Sequence, residues 1–277
     1  MKLKFAKMHG LGNDFMVIDA INQAFDPRPE LIRQWADRHQ GIGFDQMLVV
    51  DRPESDAADF KYSIYNADGG EVAQCGNGAR CFARFVREQG LTDLELITVE
   101  TNTGVLRLEA VDATRYRVDM GIPQFEPGTI PLRAETRQEL YSTDFEGTEI
   151  SFGAVSIGNP HMVIPVVDVD QAGVETLGPY FETHMMFPER ANIGFMQVID
   201  RSSFKLRVFE RGVGETRACG SGACAAMVVG VGLGLLDSPA TAQLRGGELK
   251  LEWQGGANPV MMTGETAMVY QGEIEYE

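Results

Sequence analysis

The sequence predicts an α+β protein: two pseudo-symmetric mixed β-roll domains, each wrapped around a central helix. Three observations carry that reading. A glycine-flanked cysteine segment, Cys75-Gly76-Asn77-Gly78-Ala79, recurs as Cys219-Gly220-Ser221-Gly222-Ala223. The segments flanking both copies match in the same order, as a duplication requires. Strand-like segments outnumber helical ones, and helices are too few for a doubly wound parallel sheet.

The matches run outward from the cysteines. Residues 12–18 match 158–164, Gly43-Phe44-Asp45-Gln46 matches Gly194-Phe195-Met196-Gln197, and Tyr65-Asn66 stands nine residues before Cys75 as Phe209-Glu210 does before Cys219. Downstream, 104–109 match 247–252, and Gly121 matches Gly264. The offset drifts only from 146 to 151 to 144 to 143, so insertions are loop-sized. The repeat units are about 10–121 and 156–264. The tail, 266–274, reads as a strand able to pair with either half and is grouped with the first. The expected domains are therefore 1–121 plus 266–277, carrying Cys75, and 122–265, carrying Cys219.

In order along the first unit, 15–20, 46–51, 60–65, 94–101, 105–111 and 116–120 are short, rich in β-branched and aromatic residues, and bounded by turn formers, which predicts strands. The segment 29–38 is an amphipathic helix opening on Pro29, where the missing N–H costs nothing. Helices over 76–89 and 221–236 follow the two cysteines. The second is apolar nearly all round, as a helix enclosed by a roll should be, and close packing explains the glycines it carries despite a cost of about 1 kcal/mol each against alanine. Met162, at the place matching Met16, reads as core.

Composition narrows the partners. With 277 residues, 24 basic and 40 acidic side chains, the formal charge is −16, which argues against nucleic acid or an anionic membrane. Lys2 and Lys4 precede no apolar leader core. The longest apolar run, 225–236, falls short of the roughly 20 residues of a membrane helix, so a cytoplasmic protein is expected. The four cysteines are too few for a disulfide scaffold. Their gaps of six and five positions, roughly 240° and 140° apart on a helix of about 100° per residue, turn the members of each pair away from a shared metal. No metal is expected; Cys81 and Cys224 read as buried.

The chemistry follows from the helix starts. A cysteine there lies beside unpaired N–H groups and the positive end of the helix dipole, which should lower its thiol pKa from about 8.5. The Gly-x-Gly that follows lets the backbone approach a ligand and aim N–H groups at an anion. Two such units facing one small carboxylate would set its α-carbon between two sulfurs, one removing the α-proton and the other delivering a proton to the opposite face. The product is the inverted stereocentre. A weak α-acid needs more than the about 10²–10⁴-fold of one positioned acid or base; N–H donors from Gly76, Asn77, Gly220 and Ser221 could each add about 3 kcal/mol. No Gly-x-Gly-x-x-Gly, Gly-Lys-Ser/Thr or Gly-x-Ser-x-Gly motif appears, and no lysine adjoins a glycine-rich anion loop as pyridoxal phosphate would need. No cofactor is expected.

At these residues the sequence closely resembles the diaminopimelate epimerase family. The likeness rests on His9-Gly10-Leu11-Gly12-Asn13-Asp14-Phe15, Asn66-Ala67-Asp68-Gly69, Gln74-Cys75-Gly76-Asn77-Gly78-Ala79-Arg80, Gly158-Asn159-Pro160-His161, Arg190-Ala191-Asn192, Glu210-Arg211-Gly212 and Ala218-Cys219-Gly220-Ser221-Gly222. The resemblance implies cofactor-independent interconversion of LL- and meso-diaminopimelate, a step toward lysine and peptidoglycan. Cys75 would be the proton donor and Cys219 the acceptor. His161 and Glu210 would flank the reacting centre and tune or orient the thiols. Asn13, Gln46, Asn66, Asn159, Asn192, Glu210 and Arg211 would help hold the substrate, with its α-carboxylate on the two helix starts, in a cleft that closes. Family members are commonly homodimers, and Tyr270 falls where an interface tyrosine is expected.

Other readings stay open at this point. A racemase, isomerase or dehydratase of the same fold could act on a proline-like acid; two low-pKa cysteines could cycle through a disulfide; a non-enzymatic module could bind an amino acid without exchanging its proton. Asp14, Asp45 and Asp68 read as turn or capping residues. His9, His39 and His184 read as structural or surface residues.

Overall fold

The computed structural model of the chain describes residues 2–72, 75–102 and 104–276; Gln74, quoted above beside Cys75, lies outside them. The chain divides into two compact units, Met1–Asp119 with Thr263–Glu277, and Met120–Met262.

The first unit contains strands Lys2–Gly10 (β1), Asn13–Asp19 (β2), Gln46–Asp51 (β3), Phe60–Asn66 (β4), Glu71–Val72 (β5), Leu96–Thr101 (β6), Gly104–Ala110 (β7) and Arg115–Asp119 (β8). β1 and β2 pair antiparallel, β2 and β3 parallel, β3 and β4 antiparallel, and β4 and β6 parallel, with β7 and β8 continuing antiparallel. Parallel neighbours need a crossover. Pro29–Ala36 (α1) supplies the first and Gly76–Glu88 (α2) the second.

The second unit repeats this scheme with Tyr141–Phe145 (β9), Thr148–Ser156 (β10), Pro160–Pro165 (β11), Asn192–Asp200 (β12), Ser203–Glu210 (β13), Gly214–Thr216 (β14), Ala240–Leu244 (β15) and Gly247–Glu252 (β16). β11 and β12 are parallel, as are β13 and β15, and their crossovers are Val174–Glu182 (α3) and Gly220–Gly232 (α4). Met261–Glu265 (β17) spans the boundary, and Ala267–Glu275 (β18) returns to the first unit, pairing antiparallel with β1 from Lys2↔Glu275 to His9↔Ala267.

β1 is a strand that the sequence reading did not assign. Its lysines at 2 and 4 alternate with Leu3 and Phe5, which are buried, so the basic start is the outward face of a strand with period two. α4 ends at Gly232, four residues before the expected 236. Gly234 takes a left-handed conformation, and Leu235 and Leu236 donate back to the Gly230 carbonyl. Leu236 thereby folds onto Gly230, where an added Cβ would lie 2.5 Å from its side chain. α1 stops at Ala36 because Asp37 accepts from the N–H groups of His39 and Gln40.

Each unit has an enclosed helix and an outer one. α2 lies against β1, β2, β3, β7 and β8, and α4 against β10, β11, β12, β13, β15 and β16. On the other face of the sheet, Met16, Ile18, Met47 and Val49 pack on Ile32 and Trp35 of α1, while Met162, Ile164, Ile193 and Phe195 pack on Val174 and Phe181 of α3. Strands covered on both faces read as continuous apolar runs. Met16 and Met162 are core residues, as expected. Among the described residues, no helix is long and apolar enough to cross a membrane.

The strand register corrects one repeat match. Phe15 pairs with Gln46 and His161 with Asn192; Gln46 in turn opposes Asn66, while Ile193 opposes Phe209. Gln46 therefore corresponds to Asn192, not to Gln197. The likeness of Gly43-Phe44-Asp45-Gln46 to 194–197 is one of composition, and the pairing keeps the offset of 146 that relates 12–18 to 158–164.

Candidate active site

Both cysteines cap their helices from extended backbone. Cys75 Sγ accepts from the Gly78 N–H and Cys219 Sγ from the Gly222 N–H, each at 3.4 Å. Each sulfur does what a serine or aspartate oxygen does at an N-cap. Packing dictates the second glycine of each loop. A Cβ at 78 would lie 2.3 Å from the Tyr62 hydroxyl, and one at 222 would lie 3.0 Å from Val208 and 3.2 Å from the Cys219 sulfur. The demand for glycine at 78 and 222 thus comes from beneath the helix, not from an approaching ligand.

Around Cys75, which is half-buried, the neighbours are amides. Its thiol donates to Asn13 Oδ1 at 3.7 Å, and Asn77 Nδ2 donates to the same oxygen at 3.3 Å. Asn77 Oδ1 accepts from the fully buried Arg80 at 2.9 Å. Gln46 Nε2 donates to Asn66 Oδ1 at 2.9 Å, while the buried Gln46 Oε1 has no hydrogen-bond partner among the described residues. A buried amide oxygen in that state favours a ligand that donates, such as an ammonium.

Asn13 is held from behind by an ion cluster whose acids, Asp14 and Asp45, read in the sequence as turn or capping residues. Asn13 Nδ2 donates to Asp45 Oδ2 at 3.0 Å, and Asp14 and Asp45 each accept from the other's backbone N–H. Arg38 forks onto Asp14 at 2.8 and 3.0 Å and also reaches Asp45 at 2.7 Å; Lys7 meets Asp14 at 2.6 Å and also bonds the Gly43 carbonyl. Burial alone would raise the Asp14 pKa, but Arg38 and Lys7 outweigh it and hold the carboxyl at about 2. Asp68 fits its expected turn role, accepting from Gly70 N–H at 2.8 Å.

Around Cys219, only 3% exposed, the neighbours form one chain. The thiol donates to Glu210 Oε2 at 3.1 Å and lies 3.7 Å from Ser221 Oγ. Asn159 Nδ2 donates to Ser221 Oγ at 3.4 Å, and Asn159 Oδ1 meets His161 Nε2 at 2.9 Å. Burial, then the charge and hydrogen bond of Glu210, push the Cys219 thiol well above its usual range, although Gly222 and Ser221 pull the other way. This overturns the lowered pKa expected at Cys219. A helix end contributes about 0.3–1 kcal/mol, under one pH unit, whereas burial can shift a group by several units. His161 is buried and its pKa is pushed down to about 3 by burial and the Arg211 charge, so the imidazole is neutral near pH 7 and carries its proton on Nε2.

Asn192 is hydrogen-bonded at both ends of its amide. Nδ2 donates to the Pro160 carbonyl at 3.1 Å, and Oδ1 accepts from the Arg211 N–H at 3.0 Å. It ties β11 to the turn after β13. Arg211 is exposed and its guanidinium donates to the Glu189 carbonyl at 3.0 Å. Tyr270 stands on β18 opposite Lys7, its ring edge-on to Phe5. Cys81 and Cys224 are buried in the helices, as expected, and burial pushes Cys81 up to about 12. Sequence reasoning missed Thr216, whose hydroxyl donates a short hydrogen bond to Glu210 Oε1. Reading 203–216 as a hairpin would have found it, because the fold-back sets position 216 diagonally across from 210.

The family model for diaminopimelate epimerase matches residues 5–126 and 153–269. The chain is 54% identical over 275 residues to a diaminopimelate epimerase of Nitrosomonas europaea, covering 99% of this chain and 100% of that one. It is 52% identical over 274 residues to one of Ectopseudomonas mendocina, covering 99% of each. Among solved structures, a hydroxyproline epimerase from Agrobacterium vitis shares the fold with a TM-score of 0.72 at 15% identity, over 99% of this chain and 92% of that one. With matches extending over nearly its whole length, the chain belongs to the diaminopimelate epimerase family.

Proposed function

We propose that this chain interconverts LL- and meso-diaminopimelate by proton transfer at the α-carbon, using Cys75 and Cys219 and no cofactor. The observation that carries the reading is the pair of cysteine-capped helices inside a full-length family match. Each unit serves as one epimerase domain, 1–121 with 266–277 and 122–265.

In the proposed cycle Glu210 takes the proton of the Cys219 thiol, for which the 3.1 Å hydrogen bond is already in place. The resulting thiolate removes the α-proton. Cys75 then gives its own proton to the opposite face of the carbanion, and the proton on Glu210 returns through solvent to Cys75. The α-carboxylate carries the developing charge, and first-turn N–H groups near Gly76, Asn77, Gly220 and Ser221 stabilise it. Asn13, Gln46, Asn66 and Asn159 hold the reacting head group, with the free Gln46 Oε1 suited to its ammonium. Arg211 offers a cation to a distal carboxylate, and Asn192 fixes its backbone. His161, neutral, orients Asn159 and through it Ser221.

The same reading includes assembly as a homodimer in the cytoplasm through β18, where Val269 and Tyr270 are 54% and 45% exposed. Tyr270→Ala is expected to lower the mass found by sedimentation. The function itself is tested by incubating the purified protein with LL-diaminopimelate and resolving stereoisomers by chiral chromatography. Conversion to the meso form without added cofactor is the expected result. Binding without conversion, or turnover only with a thiol substrate, overturns it.

A further inference from the structure

We propose that Thr216 is a positioning residue for the epimerisation: its hydroxyl holds one oxygen of Glu210 so that the other faces the Cys219 thiol. The inference rests on the reading of Cys219 and Glu210 as an acid/base pair. The two carboxylate oxygens have separate partners, Oε1 the Thr216 hydroxyl and Oε2 the Cys219 sulfur at 3.1 Å. A glutamate has three side-chain torsions, and a base that must meet one thiol gains from having its carboxylate plane fixed beforehand. The hairpin supplies the geometry. Val208 opposes Thr216 and Glu210 opposes Gly214, so Val208, Glu210 and Thr216 share one face. That face carries Val208 against Gly222, directly under the start of α4.

The duplicated unit provides an internal control. There β4 and β5 pair Ile64 with Val72, the same register as Val208 with Thr216, and Asn66 stands where Glu210 does. The first unit thus has a valine in the place of Thr216 and an amide in the place of the carboxylate. Valine has the shape of threonine without the hydroxyl, so space-filling alone does not account for the threonine. The hydroxyl accompanies the carboxylate it bonds.

The test compares T216V, the residue that the first unit itself uses, with T216S. Initial rates with LL-diaminopimelate are expected to show kcat for T216V lowered about 10- to 100-fold with KM within about two-fold, because misplacement acts on the chemical step. T216S should regain most of the loss. In an E210Q background T216V should cost little more, since the group it positions no longer acts. Equal losses in T216V and T216S, an unchanged kcat in T216V, or the full loss repeated on E210Q would each overturn the proposal. If T216V does not fold by circular dichroism, T216A takes its place in the same comparison. Should the unaltered protein fail to epimerise, it is the functional reading that fails; an active parent with an indifferent Thr216 refutes the positioning role alone.

Discussion

The two cysteine loops share placement and differ in surroundings. Both sulfurs cap 13-residue helices and accept from the third residue onward at the same 3.4 Å. Around Cys75 the first contacts are the amides of Asn13 and, through it, Asn77. Around Cys219 they are a carboxylate and a hydroxyl, Glu210 and Ser221. Duplication preserved what the backbone needs, the cap and the glycines packed under it, and let the side chains facing the thiol diverge. A substrate whose α-carbon presents hydrogen on one side and a vacant face on the other needs that asymmetry.

The comparison can be broken most severely at the sulfurs. Cys75→Ala and Cys219→Ala should each lower the epimerisation rate by about 10³-fold or more, since each removes a whole proton-transfer partner; a variant keeping a tenth of the rate would show that its thiol is not needed. Next in size is Glu210→Gln, which makes the second loop amide-lined like the first. It should reduce kcat by about 10²-fold. It should also lower the pH at which the Cys219 thiol ionises, because the negative charge that raises it is gone. The pH dependence of Cys219 alkylation reads this directly, and an unchanged profile would contradict the assigned cause.

A smaller effect separates Gln46 from Asn192, which the register makes equivalent. Asn192→Ala breaks one buried and one part-buried hydrogen bond and should cost about 1–3 kcal/mol of stability in urea unfolding, whereas Gln46→Ala should act mainly on KM. The reverse pattern would undo this division of roles between the two amides.

A further effect, small near neutral pH, concerns acid stability. His161 has its folded pKa lowered to about 3, so between about pH 6.5 and 3 the unfolded chain binds the proton that the folded chain refuses, and stability falls as pH drops through that window. Asp14, also lowered, adds a further loss as pH falls from its ordinary 3.8 toward 2. His161→Gln should flatten the upper part of this decline, and the ring signals of His161 should not titrate by NMR between pH 8 and 5.

Much of this was legible in the sequence because the repeat constrains it twice. The cysteine helices, the strands on either side and the apolar character of α4 follow from patterns that two copies corroborate. What escaped depended on pairing in space. β1 is hidden because its alternation is short at the start and its first outward residues, Lys2 and Lys4, resemble the charged start of a leader. The false match of Gln46 to Gln197 came from similar letters five residues out of register, and only strand pairing exposes such a slip. The ionisation of Cys219 was misjudged because helix ends are visible in sequence while burial and a carboxylate nine residues upstream are not. Lys7, Arg38 and Thr216 act through contacts that no local motif announces.

The central claim is that the α-proton leaves to one protein group and its replacement arrives from another. Conversion of LL-diaminopimelate in D₂O, stopped after a few per cent of turnover and examined by mass spectrometry, tests it most directly. The account predicts one deuterium at the α-carbon of the inverted product and almost none in the remaining substrate, because a monoprotic thiol returns the proton it removed. Inverted product that retains its original hydrogen would contradict it.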